Sequence, residues 1–200
     1  MKAGIVVFAG TNCDKDTFRA CDFFGWNPEY IWHKDKIKKN YDIIFLPGGF
    51  SYGDYISAGR LAKFSNAVAT LPVGDSFIVG ICNGFQILCE KALLGGILTH
   101  NENTKFICED ASLDFWGMNI SLPIAHAQGN YTIDNVKSIN EQIFLKYKKN
   151  YNGSDAAIAG LYDKKQRVLG MMPHPERAVF KETGNVDGRM IFEFIENEIK

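Results

Sequence analysis

The chain has 200 residues, 46% of them hydrophobic and 22% charged, with a net charge of −1. That is enough chain to bury a sizeable core and too apolar for intrinsic disorder, and the balanced charge does not suit a nucleic-acid surface. No apolar run is long enough to cross a bilayer, the N-terminal run breaks at Gly10 too soon for a signal peptide, and five irregularly spaced cysteines suit a reducing, cytoplasmic setting better than a disulfide scaffold.

Residues 3–8 (AGIVVF) read as a strand buried on both faces. A loop, AGTNCD, leads to a helix from about Lys15 to Phe24 that Gly25 stops, and Pro28 to His33 form a second strand. Residues 41–46 (YDIIFL) are a third, ended by the turn signal Pro47-Gly48-Gly49. After FSYGDY, the spacing of Leu61, Phe64, Val68 and Leu71 predicts a helix from about Ser57 to Leu71. The run Phe77 to Ile81 is a central strand that ends at Cys82, and a helix carrying Phe85, Ile87 and Leu88 follows.

Strands alternating with helices at this spacing predict a parallel sheet covered on both sides. In such sheets the active site lies at the carboxyl ends of the strands, where Gly49 and Cys82 fall. The second half changes character: 104–108, 118–124, 141–147, 156–161 and 168–172 read as short antiparallel strands added to that sheet, before a helix from Asp187 to Glu198. No repeat or linker divides residues 1–200, so one domain is the simplest expectation.

Gly80-Ile81-Cys82-Asn83-Gly84 has the pattern of a nucleophile elbow with cysteine in the nucleophile's place. A lone cysteine after a buried strand is more commonly a small core residue. Here the flanking glycines permit a strained turn, and the N–H groups of the new helix favour a thiolate or an oxyanion. The thiol needs a base and an orienter. His174, in Met172-Pro173-His174-Pro175-Glu176-Arg177 directly after an apolar strand, is the best placed of four histidines. In an extended segment Glu176 shares its side and sets its tautomer, with the prolines bracing both.

His126 lies in a glycine-containing loop that can approach the site. His33 and His100 read as solvated, and Cys13, Cys21, Cys89 and Cys108 as packing residues. No metal-ligand spacing appears. Neither a phosphate loop nor a dinucleotide fingerprint is present. A cysteine peptidase or redox protein on a similar sheet is the competing reading of the elbow.

With Gly-x-Cys-x-Gly, Pro-Gly-Gly and His-Pro-Glu in this order, the chain resembles the class I (triad) glutamine amidotransferases from its first strand to its last helix. GGFSYGDY (48–55), KFIC (105–108), PIAH with GNY (123–131), NGS (152–154) and GMMPHPERA (170–178) resemble the branch serving purine biosynthesis. An amidotransferase for a different acceptor is the nearer alternative, and GGFSYGDY discriminates against it. The resemblance implies a flavodoxin-like three-layer α/β fold, mostly parallel with added antiparallel strands.

It also implies Cys82 as nucleophile, His174 as acid/base and Glu176 as its orienter. The backbone N–H groups of Gly49 and Asn83 would serve as oxyanion donors, and Gly48, Phe50, Gln86 and His126 would line the pocket for L-glutamine. The implied reaction is hydrolysis of glutamine through a thioester. The ammonia would pass to a separate synthetase subunit that holds ATP and Mg. A small accessory subunit would be a further partner, and this chain would carry no cofactor. The chain departs from the family pattern at Ser57, Glu109 and Ala127-Gln128, where arginine, arginine and Gly-Glu are usual.

Overall fold

The computed structural model describes residues 1–38, 40–54 and 57–200. Lys39, Tyr55 of GGFSYGDY and the neighbouring Ile56 lie outside the described residues.

Strands β1 (Lys2–Val7), β2 (Asn27–Trp32) and β3 (Ile43–Leu46), with helix α1 (Asp14–Phe23) between the first two, form the N-terminal part. After a short helix α2 (Asn66–Ala69), β4 (Phe77–Ile81) leads directly into α3 (Asn83–Glu90). The strands β5 (Ile97–Thr99), β6 (Ile107–Phe115), β7 (Met118–His126), β8 (Asn130–Thr132), β9 (Ile143–Tyr147), β10 (Ile158–Asp163) and β11 (Val168–Met171) follow, and α4 (Gly188–Ile199) closes the chain.

Nine strands make one sheet in the order β2-β1-β3-β4-β11-β10-β9-β6-β7. The first five run parallel, and β10, β9, β6 and β7 extend the sheet antiparallel. β5 and β8 pair separately.

Every residue of β3 and β4 is buried, as expected of strands covered on both faces. Consecutive strand residues point to opposite faces, and β3 shows what covers each. Phe45 stacks on Phe192 of α4, whose ring also stacks on Phe24 beyond α1. Leu46 instead faces α3, close to Gly84. Helices thus cover both faces, the expected three-layer α/β architecture. Among the described residues no helix is long and apolar enough to cross a membrane.

The helix expected over 57–71 does not form as one element. Ser65 is extended, with φ −65° and ψ 152°, and its hydroxyl accepts from Val68 N, so it caps the four-residue α2. Its preference for that cap breaks the apolar periodicity into a turn, a 3-10 segment over Ala62–Phe64 and α2. Phe64, expected on a buried face, is 74% exposed with Lys63 over its ring.

The strand expected over 104–108 begins at Ile107 and continues to Phe115, so the compact 109–119 region is a hairpin of β6 and β7. The three-residue strands β5 and β8 were not expected. Replacing Phe192 with alanine is predicted to cost about 3–5 kcal/mol in chemical denaturation. Phe64→Ser is predicted to stay within about 0.5 kcal/mol, because its ring is in solvent.

Candidate active site

The strand order brings the expected residues together. β4 lies between β3 and β11, all parallel, with Leu46 opposite Gly80 and Ile81 opposite Met171. The segments leaving these strands therefore emerge side by side: Gly48 and Gly49 after β3, Cys82 after β4 and His174 after β11.

Cys82 adopts φ 51° and ψ −103°, a conformation that a non-glycine residue holds only where its surroundings demand it. The tight elbow is possible because α3 passes against β3: a Cβ on Gly84 would overlap the Leu46 carbonyl oxygen. Cys82 N–H donates to Met171 O at 2.7 Å, tying the elbow to β11.

His174 and Glu176 are almost wholly buried. The segment after His174 is a 3-10 turn, Pro175–Arg177, rather than the expected extended chain. The pair still meets: His174 Nδ1 lies 2.7 Å from Glu176 Oε1. The carboxylate can only accept, so Nδ1 carries the proton and Nε2 presents a lone pair. That Nε2 has no partner among the described residues. Gly48 has to be glycine for this pair, since a Cβ there would come 2.6 Å from His174 Cε1. His174 N–H donates to Pro123 O at 2.8 Å, fastening the loop to β7.

A cavity of about 230 Å³ is lined by Cys82, His174, Gly49, Phe50, Ala125 and Arg177, together with Asn12, Cys13, Phe106 and Cys108. Two N–H groups are available to a developing oxyanion. Asn83 opens α3, where its N–H has no intrahelical acceptor, and this group bonds toward the Cys82 sulfur. Gly49 N–H has no acceptor among the described residues, whereas the next amide, Phe50 N, is taken by Gly10 O.

Of the residues expected around glutamine, Gly49's neighbours divide. Phe50, 41% exposed, stands at the cavity with its ring centroid 6.5 Å from that of Phe106. Gly48 backs the imidazole. Gln86 does not line the cavity: its Oε1 accepts from Asn83 Nδ2 at 2.9 Å and its Nε2 donates to Gln128 O at 2.6 Å. His126 is buried, with Nδ1 3.0 Å from Asn101 Oδ1. Burial, reinforced by His174, pulls its imidazole down to about 4.

Three expectations need correction. Cys13 is no mere packing residue: its sulfur lies 3.8 Å from His174 Nδ1 and accepts from Arg177 Nη2 at 2.9 Å. Burial, with the Glu176 charge adding to it, pushes the Cys13 thiol up to about 12 against the opposing pull of Arg177. Cys108 is exposed and lines the same cavity. His33 is buried rather than solvated, 2.6 Å from the Tyr52 hydroxyl.

Sequence spacing also missed that Cys13, His174 and Glu176 bring ligand atoms within 4.8 Å of one another. A sulfur, a nitrogen and an oxygen suit zinc in kind. The Nδ1–Oε1 bond and the Arg177 guanidinium on the sulfur already occupy these atoms, however, and the cation supplies the positive charge a metal would bring. The site reads as a hydrogen-bonded cluster. The signal for Cys13 was the turn that follows β1 at the carboxyl edge of the sheet, a position shared with Gly49 and Cys82.

Burial pushes the Cys82 thiol up, and the neighbouring Cys13 and Glu176 act in the same direction, while Arg177 and the Asn83 N–H oppose them. The resting sulfur keeps its proton, which points to Ala125 O at 3.7 Å. A thiol next to a correctly tautomerised imidazole, with two backbone donors beside it, can add to a carbonyl and stabilise the resulting oxyanion.

These features define a cysteine-dependent acyl-transfer site on an α/β sheet, and the chain belongs to the glutamine amidotransferase family. The family model described as the CobB/CobQ-like glutamine amidotransferase domain matches residues 1–191. Among individual proteins, the chain is similar to the phosphoribosylformylglycinamidine synthase subunit PurQ of Alkaliphilus metalliredigens (strain QYMF). That likeness is 43% identity over 215 residues, covering 98% of this chain and 95% of the relative.

A chain in the solved PurLQS structure from Thermotoga maritima superposes with a TM-score of 0.91 at 40% identity, covering 100% of this chain and 99% of that one. A putative GMP synthase subunit from Thermoplasma acidophilum shares the fold alone, with TM-score 0.67 at 16% identity over 100% of this chain and 94% of that one.

The raised thiol yields a directional prediction. Without substrate at pH 8, iodoacetamide should modify exposed Cys108 faster than Cys82, read by peptide mapping over time. Faster labelling of Cys82 would mean a pre-formed thiolate.

Proposed function

We propose that this chain is the glutaminase subunit of a phosphoribosylformylglycinamidine synthase, releasing ammonia from L-glutamine for a synthetase subunit in purine biosynthesis. The observation that carries the reading is the convergence of Cys82, His174 and Gly49 on one cavity, with the Asn83 N–H bonding toward the Cys82 sulfur and His174 Nε2 left without a partner among the described residues. The near-full-length similarity to PurQ and to a PurLQS chain supports the choice of acceptor. The 16% likeness to the putative GMP synthase subunit speaks only for the fold.

In this mechanism glutamine enters the cavity with its side-chain amide carbon facing the sulfur. Cys82 attacks, its proton passes to His174 Nε2, and the amide oxygen becomes an oxyanion held by Gly49 and Asn83 N–H. Glu176 holds the imidazole upright and stabilises it once charged. His174 then gives the proton to the departing nitrogen, so the C–N bond breaks and ammonia leaves a γ-glutamyl thioester on Cys82. Water, deprotonated by the same Nε2, attacks the thioester carbon; the C–S bond breaks, glutamate is released, and the proton returns from Nε2 to the Cys82 sulfur. Phe50 and Phe106 stand at the cavity where they can shield the carbon chain of the substrate.

ATP and Mg belong to the synthetase subunit in this scheme, with a small accessory subunit completing the complex in the cytoplasm. The similarity to a chain of PurLQS supports that arrangement. A cysteine peptidase is disfavoured by the family membership. Reconstituted with a PurL-type synthetase and a PurS-type subunit, Cys82→Ala should release no glutamate from glutamine while still supporting amidine synthesis from ammonium salts. Glu176→Gln, unable to fix the tautomer, should lower kcat by about 10²–10⁴-fold. Glutamate release that survives Cys82→Ala would overturn the mechanism.

A further inference from the structure

The two backbone donors of the oxyanion hole sit on different segments, Gly49 after β3 and Asn83 at the start of α3. Their spacing depends on whatever joins those segments. The turn after Gly49 is unusual: Tyr52, Gly53 and Asp54 have φ values of 55°, 67° and 52° in succession. Two of these are not glycine, and such a turn persists only where its surroundings over-determine it.

The turn is pinned to the loop after β1, by Phe50 N to Gly10 O and Tyr52 N to Ala9 O. Its hydrogen bonds to α3 run through the Asn83 side chain. Asn83 Oδ1 accepts from Ser51 N at 3.2 Å. Asn83 Nδ2 donates to Asp54 Oδ1 at 3.3 Å and to Gln86 Oε1 at 2.9 Å.

The orientation of that amide matters. Turned over, it would set its NH₂ group against Ser51 N–H, donor against donor, and release the turn. A carboxylate has only acceptors, so ionised Asp54 selects the orientation that holds Ser51. We propose that Asp54 is a positioning residue for the oxyanion hole: through the Asn83 amide it locks the turn after Gly49 against the start of α3 and sets the spacing of the two N–H donors. The inference rests on the glutaminase reading of the site, since it assigns no contact between Asp54 and the substrate.

The carboxyl bears the mark of such a constraint. Burial pushes Asp54 up to about 6, against the pull of the Asn83 amide, and no charged neighbour contributes. The carboxyl thus sits in surroundings that disfavour its charge while the Asn83 amide favours it, as is common where geometry serves function rather than stability.

The test uses the reconstituted complex and the aldehyde analogue of glutamine, glutamate γ-semialdehyde. Its carbonyl carbon bonds to the Cys82 sulfur, the thiol proton ends on oxygen or His174, and the former carbonyl oxygen occupies the oxyanion position. Asp54→Gly removes the carboxylate at a φ that glycine adopts freely, and Asn83→Ala removes the amide while keeping the backbone donor. Each should lower kcat by about tenfold to a hundredfold, short of the loss of a whole donor, with glutamine KM within about twofold.

Inhibition by the aldehyde should weaken by the same factor as kcat/KM falls, and Asp54→Asn, which keeps an acceptor oxygen, should recover most of both. A role confined to folding would lower the yield of active protein without changing aldehyde affinity. If both variants bind the aldehyde as tightly as wild type, the positioning role of Asp54 is wrong and the glutaminase reading stands. If wild type itself is not inhibited, or Cys82→Ala is inhibited equally, the glutaminase reading is what fails.

Discussion

The structure depends on the parallel pairing of three adjacent strands. Because β3, β4 and β11 run side by side in one direction, three short loops end at the same edge of the sheet. One delivers a backbone donor at Gly49, one a thiol at Cys82 and one the imidazole of His174. None of these elements could be moved by one residue without loss, since a register slip turns every side chain to the opposite face. The fully buried strands make that slip expensive, so the rigidity of the core is passed directly to the site.

Around that frame, burial sets the chemistry. Cys82, His174 and Glu176 are almost excluded from water, which strengthens the Nδ1–Oε1 bond and leaves Nε2 without a competing partner among the described residues. The same burial keeps the resting thiol protonated. The proposed mechanism accordingly draws on proton transfer at the moment of attack and on prearranged donors, not on a standing thiolate. Cys13 and Arg177 form the back of the imidazole's seat, and the guanidinium offsets part of the negative charge that Glu176 concentrates there.

The features legible in the sequence were those written in short, contiguous patterns. The elbow glycines and the Pro-Gly-Gly segment permit tight turns, so the turns at Cys82 and Gly49 could be placed without the rest of the chain. The prolines beside His174 marked its loop but suggested extended chain where a 3-10 turn forms. That His174 would meet Glu176 near Cys82 could be expected because loops at the carboxyl ends of adjacent parallel strands lie side by side. What escaped was long-range or conditional.

Cys108 reaches the cavity through the pairing of β6 with β7, and nothing near it in sequence signals that. Cys13 had only its place in the turn after β1 as a signal, because its contacts with His174 and Arg177 are long-range. The helix expected over 57–71 had apolar spacing, but Ser65 offered the backbone a cap that the periodicity could not outweigh. His33 is followed in sequence by Lys34 and Asp35, but in space Phe8 and Tyr52 pack against its ring. The amide clamp between Asp54 and Asn83 was likewise invisible, being a contact between loops.

The central claim is that one thiol among several in this cavity carries the reaction. Three cysteines, Cys13, Cys82 and Cys108, line it. Treating the complex with a chloroketone analogue of glutamine and mapping the alkylated peptides distinguishes them directly. Cys82 should be labelled stoichiometrically, with excess glutamine preventing it and Cys13 and Cys108 left unmodified. Glutamine-protected labelling of Cys13 or Cys108 in place of Cys82 would contradict that claim.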